Sequence, residues 1–351
     1  MTAPQTKTQH ELLQERAAAV DLRAYHLHLD LSEVLDSPTY RVTTRLELSS
    51  SEPELFLDYL GESVAEVKVN GTPQKVDFDG SIIRLHGLPV GEELAIEVTS
   101  HSRYSRTGQG LHRMHDQADD ATYLYSHLEP SDARRIFPCL EQPDLKAVFH
   151  VRMTAPKKWQ ILSNQPEVER SEEGELATVT FAPTPPLSTY LTSFAAGPYQ
   201  YQERTWTAPD GSHSAQLRAF ARASMFEHLD EEILELTAQG MDFFHQNFGY
   251  PYPWGKYDSI FVPEYNLGAM ENPGLVTFTE NYIFRSRATR AQHAGRANTI
   301  LHEMSHMWFG DFVTPQWWDD LWLKESFAEF MGADSSVHGT DYTEAWANFA
   351  G

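Results

Sequence analysis

Thr299 to Phe330 reads TILHEMSHMWFGDFVTPQWWDDLWLKESFAEF. Within it, His302-Glu303-Met304-Ser305-His306 places two histidines four residues apart. On a helix of about 3.6 residues per turn, that spacing returns both imidazoles to one face. Two imidazole nitrogens on one face can hold a zinc ion, and the intervening Glu303 lies close enough to take the proton of a water bound there. A third ligand is required, and Glu325, on the Trp-rich segment that follows, is placed to supply it from a second helix. Three protein ligands leave the fourth position open, as hydrolytic zinc requires. The stretch reads as the centre of a metallopeptidase.

The competing reading is an ordinary helix that happens to carry histidines, which are frequent in this chain. The flanks argue against it. Ile300, Leu301, Met304, Met307 and Trp308 make the segment largely apolar, so its His and Glu side chains are expected to be buried or half-buried. Buried polar groups need partners, and a metal satisfies several at once.

At 351 residues the chain is too long for one ordinary core, so two domains are expected. A net charge of -23 excludes the usual nucleic-acid binder, which needs clustered Lys and Arg against phosphate. Cys139 is the only cysteine, so no intrachain disulfide forms and a reducing, cytoplasmic location is expected. Met1 to Arg23 has no apolar core of a signal peptide, and no run approaches the roughly 18 apolar residues of a membrane span. No membrane association is expected.

From Asp21 to about Gly197 the hydrophobic pattern has period two. Segments 25–29, 42–48, 82–85, 94–98 and 177–181 alternate or cluster as short strands do, and Val67-Lys68-Val69 before Asn70-Gly71 predicts a hairpin. Short spacings between turn clusters favour an antiparallel all-β domain, with Glu172-Glu173-Gly174-Glu175 as a solvated loop. After Gly197-Pro198 the character changes. Glu227 to Phe248 is helical, with Leu229, Ile233, Leu236, Met241, Phe244 and Phe248 on its buried face. Tyr250-Pro251-Tyr252-Pro253-Trp254 is a non-helical connection, since each proline excludes its predecessor from helix geometry. Arg285, Arg287, Arg290 and Arg296 form a solvated face or local ion pairs. The chain divides into a β-rich domain, 1–200, and a catalytic domain, 201–351.

A second constellation is Gly268-Ala269-Met270-Glu271-Asn272. Two small residues allow another backbone to approach, so an extended peptide can pair with this edge while Glu271 binds a cation. Taken by itself the segment reads as a loop between strands; thirty-odd residues before a zinc motif, the binding reading prevails.

With the zinc pattern, this segment closely resembles the M1 family of zinc aminopeptidases, in its bacterial aminopeptidase N branch. The resemblance extends to Met307–Asp311, Trp317–Leu323, Phe248–Pro253, and to His127–Arg135 and Cys139–Asp144 in the first domain. It implies His302, His306 and Glu325 as ligands of one zinc ion and Glu303 as general base. It also implies Glu271 and Glu129 as carboxylates for a peptide's free α-amino group, with Gly268 and Ala269 holding the peptide backbone. Leu267 falls where the family lines the pocket for the first side chain. The implied fold is multidomain, β then α+β: an N-terminal antiparallel β saddle domain followed by a thermolysin-like catalytic domain.

Two departures stand out. His127 replaces a residue that is commonly Gln in the family and bears on the first substrate pocket. The family's oxyanion-stabilising tyrosine lies some tens of residues past the third ligand, yet only 26 residues follow Glu325 and their one tyrosine, Tyr342, is too close. Asp341 to Gly351 reads as a helix cut in mid-course, so a truncated catalytic domain is expected, with a separate C-terminal segment of the same enzyme as partner. An oxyanion donor is worth about 10² to 10³ in rate, so the piece by itself would turn over slowly. The leading function is removal of N-terminal residues from peptides. The alternatives are a weak or inactive peptide-binding fragment and an epoxide-hydrolase-like relative, although that branch has Gly where Ala269 stands. The longer metzincin pattern is excluded by Phe309 and Phe312.

Overall fold

The structure, a computed structural model, describes residues 8–349. An eight-stranded sheet forms the body of the first half. Its spatial order is Glu167–Glu173, Leu176–Phe181, Val148–Pro156, Val20–Asp30, Thr39–Ser50, Glu93–Arg103, Ser63–Val69 and Thr72–Gln74. Alternate residues point inward, so Leu27, Leu29, Val42, Leu46, Ile96 and Val98 are buried while their neighbours stay partly solvated. The expected hairpin is present, with Asn70 and Gly71 at φ 49° and 77° between Val69 and Thr72. That double positive φ is what a two-residue type I′ turn demands.

Three differences from the sequence reading have physical reasons. The sheet is not wholly antiparallel, because Val20–Asp30 pairs in parallel with the distant Val148–Pro156. Glu172 and Glu173 are not loop residues: they end an edge strand, Glu167–Glu173, exposed along its whole length. Charged residues on such an edge discourage pairing with another chain. An unforeseen helix, α1 (Gln9–Ala19), is started by a capping box in which Thr8 and Glu11 satisfy each other's backbone N–H groups. Its Arg16 is buried, bonded to Gln142 and to Asp58 at 2.7 Å.

A four-stranded sheet follows, ordered Gln160–Ser163, Phe194–Gly197, Ala121–His127, Gly110–Asp116. At Gln200 the chain enters a five-stranded mixed sheet, ordered Gln200–Thr207, Ser214–Ala221, Lys256–Val262, Leu275–Thr279, Ala269–Met270. The central strand Lys256–Val262 is buried at every position. Ala269–Met270 is the outermost strand, paired on one side only, antiparallel to Leu275–Thr279.

Helices α2 (Glu232–Phe248) and α3 (Arg290–His306) pack beside this sheet, α4 (Leu321–Gly339) packs on both helices, and a short α5 spans Ala345–Phe349. The expected helix start at Glu227 falls in a 3-10 turn, Ala223–His228, and α2 begins after it. α3 opens with a capping box between Thr289 and Gln292 and buries Ala294, Ala297, Ile300, Leu301 and Met304. Arg296 on α3 is fully buried rather than solvated, bonded to Asp230 at 2.9 Å and to Glu232. Asp341–Glu344 is non-helical before α5, and the expected helix end at Ala350–Gly351 lies outside the described residues. So do Met1–Lys7 of the stretch read for a signal peptide. Among the described residues no helix is long and apolar enough to cross a membrane.

α3 and α4 cross closely at Gly332, where a Cβ would meet the Asn298 carbonyl oxygen and the His302 Cβ, both at 3.2 Å. Replacing Gly332 with Val should cost about 1–3 kcal/mol, the usual effect of forcing volume into a packed contact. Urea denaturation checks this, and an unchanged midpoint would show that the helices separate freely.

Candidate metal and substrate site

The crossing of α3 and α4 sets one pair of side chains four residues apart against another. His302 and His306 project from α3; Glu325 and Glu329 project from α4. His306 Nε2 lies 3.2 Å from His302 Nε2, and Glu325 Oε2 lies 3.5 and 3.6 Å from the two nitrogens.

The outer nitrogens decide what those inner atoms offer. His306 Nδ1–H donates to the Phe309 carbonyl at 3.0 Å, which leaves Nε2 with a lone pair in the neutral ring. His302 Nδ1 faces Glu329 Oε2 at 3.3 Å, favouring the same tautomer. Two lone pairs 3.2 Å apart repel unless a proton or a metal ion lies between them. Ligand bonds of about 2.05 Å in a tetrahedron put neighbouring donor atoms about 3.3 Å apart. The three separations, 3.2, 3.5 and 3.6 Å, fit zinc held by two imidazoles and a carboxylate.

Glu303, buried on the same helix, has a carboxylate oxygen within 4.8 Å of donor atoms of Glu271 and His306. Burial pushes its carboxyl up to about 8, with His302 opposing and Glu271 and Glu325 adding to the rise. A dication beside it would pull the group back toward its charged form.

Glu129 comes from the segment just after Ala121–His127, and Glu271 from just after Ala269–Met270. Their carboxylates converge on one ammonium, that of Lys324, 2.7 Å from Glu129 Oε1 and in contact with Glu271 Oε1. Lys324 Nζ also lies 3.3 Å from Glu325 Oε1 and 5.1 Å from the centre of the Tyr190 ring. Burial and the neighbouring Glu271 push the Glu129 carboxyl up to about 7. Burial pushes the Glu271 carboxyl the same way, but Lys324 and His306 together hold the group below its usual range.

Ala269 begins the outermost strand and Gly268 precedes it, with the Gly268 carbonyl accepting from Thr279 N–H at 2.9 Å. Leu267 is exposed beside them. His127 is buried, its Nδ1 3.2 Å from the Tyr265 hydroxyl, and burial lowers its pKa.

Sequence reasoning missed Lys324 and Glu329. Both had a signal. Lys324 heads the stripe Lys324, Ala328, Met331, Ser335 that α4 buries, so helical spacing alone turns its side chain inward. Glu329 is four residues past Glu325 and so returns to the same face.

Comparison with known proteins identifies the family. Residues 24–191 match the peptidase M1 N-terminal domain, and residues 232–350 match the peptidase family M1 domain. The chain belongs to peptidase family M1. It is 42% identical to aminopeptidase N of Streptomyces lividans over 99% of its length, covering 40% of that protein. It is 32% identical to the Tricorn protease-interacting factor F2 of Thermoplasma acidophilum over 94% of its length, again covering 40% of the relative. Rat aminopeptidase N is 37% identical over 74% of the chain. The chain thus spans about two fifths of the length of the first two relatives.

Replacing Glu329 with Ala should weaken zinc affinity about 10- to 100-fold, the usual effect of losing an outer partner of a ligating histidine. A chelator-competition titration reads this, and unchanged affinity would remove Glu329 from the site.

Proposed function

We propose that this chain is the zinc-bearing portion of an aminopeptidase that hydrolyses the first peptide bond of substrates with a free N-terminus. The observation that carries the proposal is the convergence of Glu129 and Glu271 on an ammonium next to the three-donor set. Lys324 Nζ is chemically the same kind of cation as a peptide's α-amino group, and it lies 2.7 Å from Glu129 and 3.3 Å from Glu325. A substrate amine would share Glu129 and Glu271 with Lys324 or take them over from it. Its first peptide bond would then be held beside His302, His306 and Glu325, which is exopeptidase register.

In this reading His302, His306 and Glu325 hold one zinc ion per chain. Zinc supplies Lewis-acid polarisation and an acidified water there, with a pKa near 7. Glu303 accepts the proton of the attacking water on its carboxylate and later donates it to the departing amine. Gly268 and Ala269, on the open edge of the five-stranded sheet, pair with the peptide backbone as an added strand would. Leu267 and His127 bound the pocket for the first side chain.

We also place the domain division at residue 200, with the β-rich domain (residues 1–200) supplying Glu129 and the catalytic domain (residues 201–351) supplying the metal ligands. Trp322, Leu323 and Phe330 on α4 are about half-exposed, which supports a separate C-terminal segment of the enzyme as the partner covering them. The single buried Cys139 fits a cytoplasmic, reducing setting.

Replacing Glu303 with Gln should leave zinc content intact and lower turnover by at least about 10²- to 10⁴-fold, the usual worth of a general base. N-acetylation of an aminoacyl substrate should abolish what hydrolysis the chain shows, alone or with its C-terminal segment added. Equal cleavage of acetylated and free substrates would sink the exopeptidase assignment; zinc without any hydrolysis would favour a peptide-binding role.

A further inference from the structure

The loop Pro263 to Leu267 joins the central strand Lys256–Val262 to the outermost strand Ala269–Met270, and the first domain grips it. Four hydrogen bonds cross to it. His112 Nε2 lies 3.0 Å from Glu264 Oε2, and the Tyr125 hydroxyl donates to the Glu264 carbonyl at 3.1 Å. The Tyr265 hydroxyl meets His127 Nδ1 at 3.2 Å, and Asn266 Nδ2 donates to the Thr107 carbonyl at 2.6 Å.

The sequence places three of these grips together through sheet register. His112 and Tyr125 are directly paired across the strands Gly110–Asp116 and Ala121–His127, and His127 is two residues further along the second. All three therefore face the same side of their sheet. The rings also touch: His112 stacks on Tyr125 at 4.8 Å, and Tyr265 stands edge-on to Tyr125 and His127 at 5.7 and 5.6 Å.

Two backbone features show that the grip imposes a shape. Among the described residues only Asn70, Asp120 and Glu264 are non-glycines with positive φ, and Glu264 sits at 54°. Asn and Asp tolerate that region through their short side chains, whereas a Glu there needs external support. On the other side, Gly108 has φ 85° and packs so closely on Asn266 that a Cβ would lie 2.4 Å from Nδ2. Gly108 N–H donates to His112 Nδ1 at 3.1 Å, so the proton of the neutral ring is on Nε2 and is donated to Glu264. His112 itself is 1% exposed, and the Glu264 side chain is 60% exposed.

We infer that His112 and Glu264 form a clasp by which the first domain fixes the 264–267 loop and, through it, the position of the Gly268–Met270 edge. His112 is on this account a positioning residue, acting through Glu264. The consequence for peptide affinity rests on the proposed role of that edge; the clasp itself does not.

Hydrogen exchange on the full chain tests it, using His112→Ala and, because His112 is buried, also Glu264→Ala at the exposed end. Amides of residues 264–272 should exchange about tenfold faster in both variants, while those of α3 keep their wild-type rates. Glu264→Gln retains an oxygen that accepts from Nε2–H and should restore slow exchange. Unchanged exchange at 264–272 in both alanine variants overturns the clasp, as does an equal acceleration along the whole chain. Binding of the dipeptide Leu-Gly to the zinc-loaded chain, with Glu303→Gln to prevent cleavage, separates the two ideas. A roughly tenfold weaker dissociation constant accompanies the local change if the edge binds peptide. A local exchange change with unaltered Leu-Gly binding upholds the clasp and counts against the edge as the peptide site.

Discussion

The close crossing of α3 and α4 is the constraint on which the rest of the site depends. One helix supplies two imidazoles that offer lone pairs 3.2 Å apart; the other supplies a carboxylate at 3.5 and 3.6 Å. Neither helix has a site alone. Gly332 lets them approach, the Phe309 carbonyl and Glu329 orient the rings, and the buried apolar face of α3 anchors the whole against the domain core. The arrangement is costly without a cation, because His306, Glu303 and Glu271 gather a lone pair and carboxylates in the buried part of the site.

The second constraint is electrostatic. Glu129, Glu271, Glu303 and Glu325 crowd one region, with Lys324 as the cation that the fold sets among them. Burial and mutual repulsion raise Glu303 and Glu129, while Lys324 and His306 together lower Glu271 against its burial. Such a cluster is a poor structural choice and a useful chemical one: it pushes the proton affinities of neighbouring carboxyl groups in opposite directions within a few ångströms.

Much of this was legible in the sequence because it is local. The His302–His306 spacing, the Asn70-Gly71 turn and the period-two strands depend on neighbours in the chain. Lys324 and Glu329 were legible too, from helical spacing. The partners of Lys324 were not, since Glu271 lies 53 residues away and Glu129 lies 195 away. The parallel pairing of Val20–Asp30 with Val148–Pro156 and the grip of His112 on Glu264, 152 residues apart, are set by tertiary packing and leave no periodic trace. The edge strand Glu167–Glu173 misled for a physical reason, because solvated glutamates on a sheet edge have the composition of a loop.

X-ray absorption at the zinc edge, on the chain loaded with one equivalent of metal, tests the central claim most directly. The account predicts two imidazole nitrogens and one carboxylate oxygen in a shell near 2.0–2.1 Å, completed by one further light atom. A shell of six oxygens, a single imidazole, or a sulfur from Cys139 would contradict it.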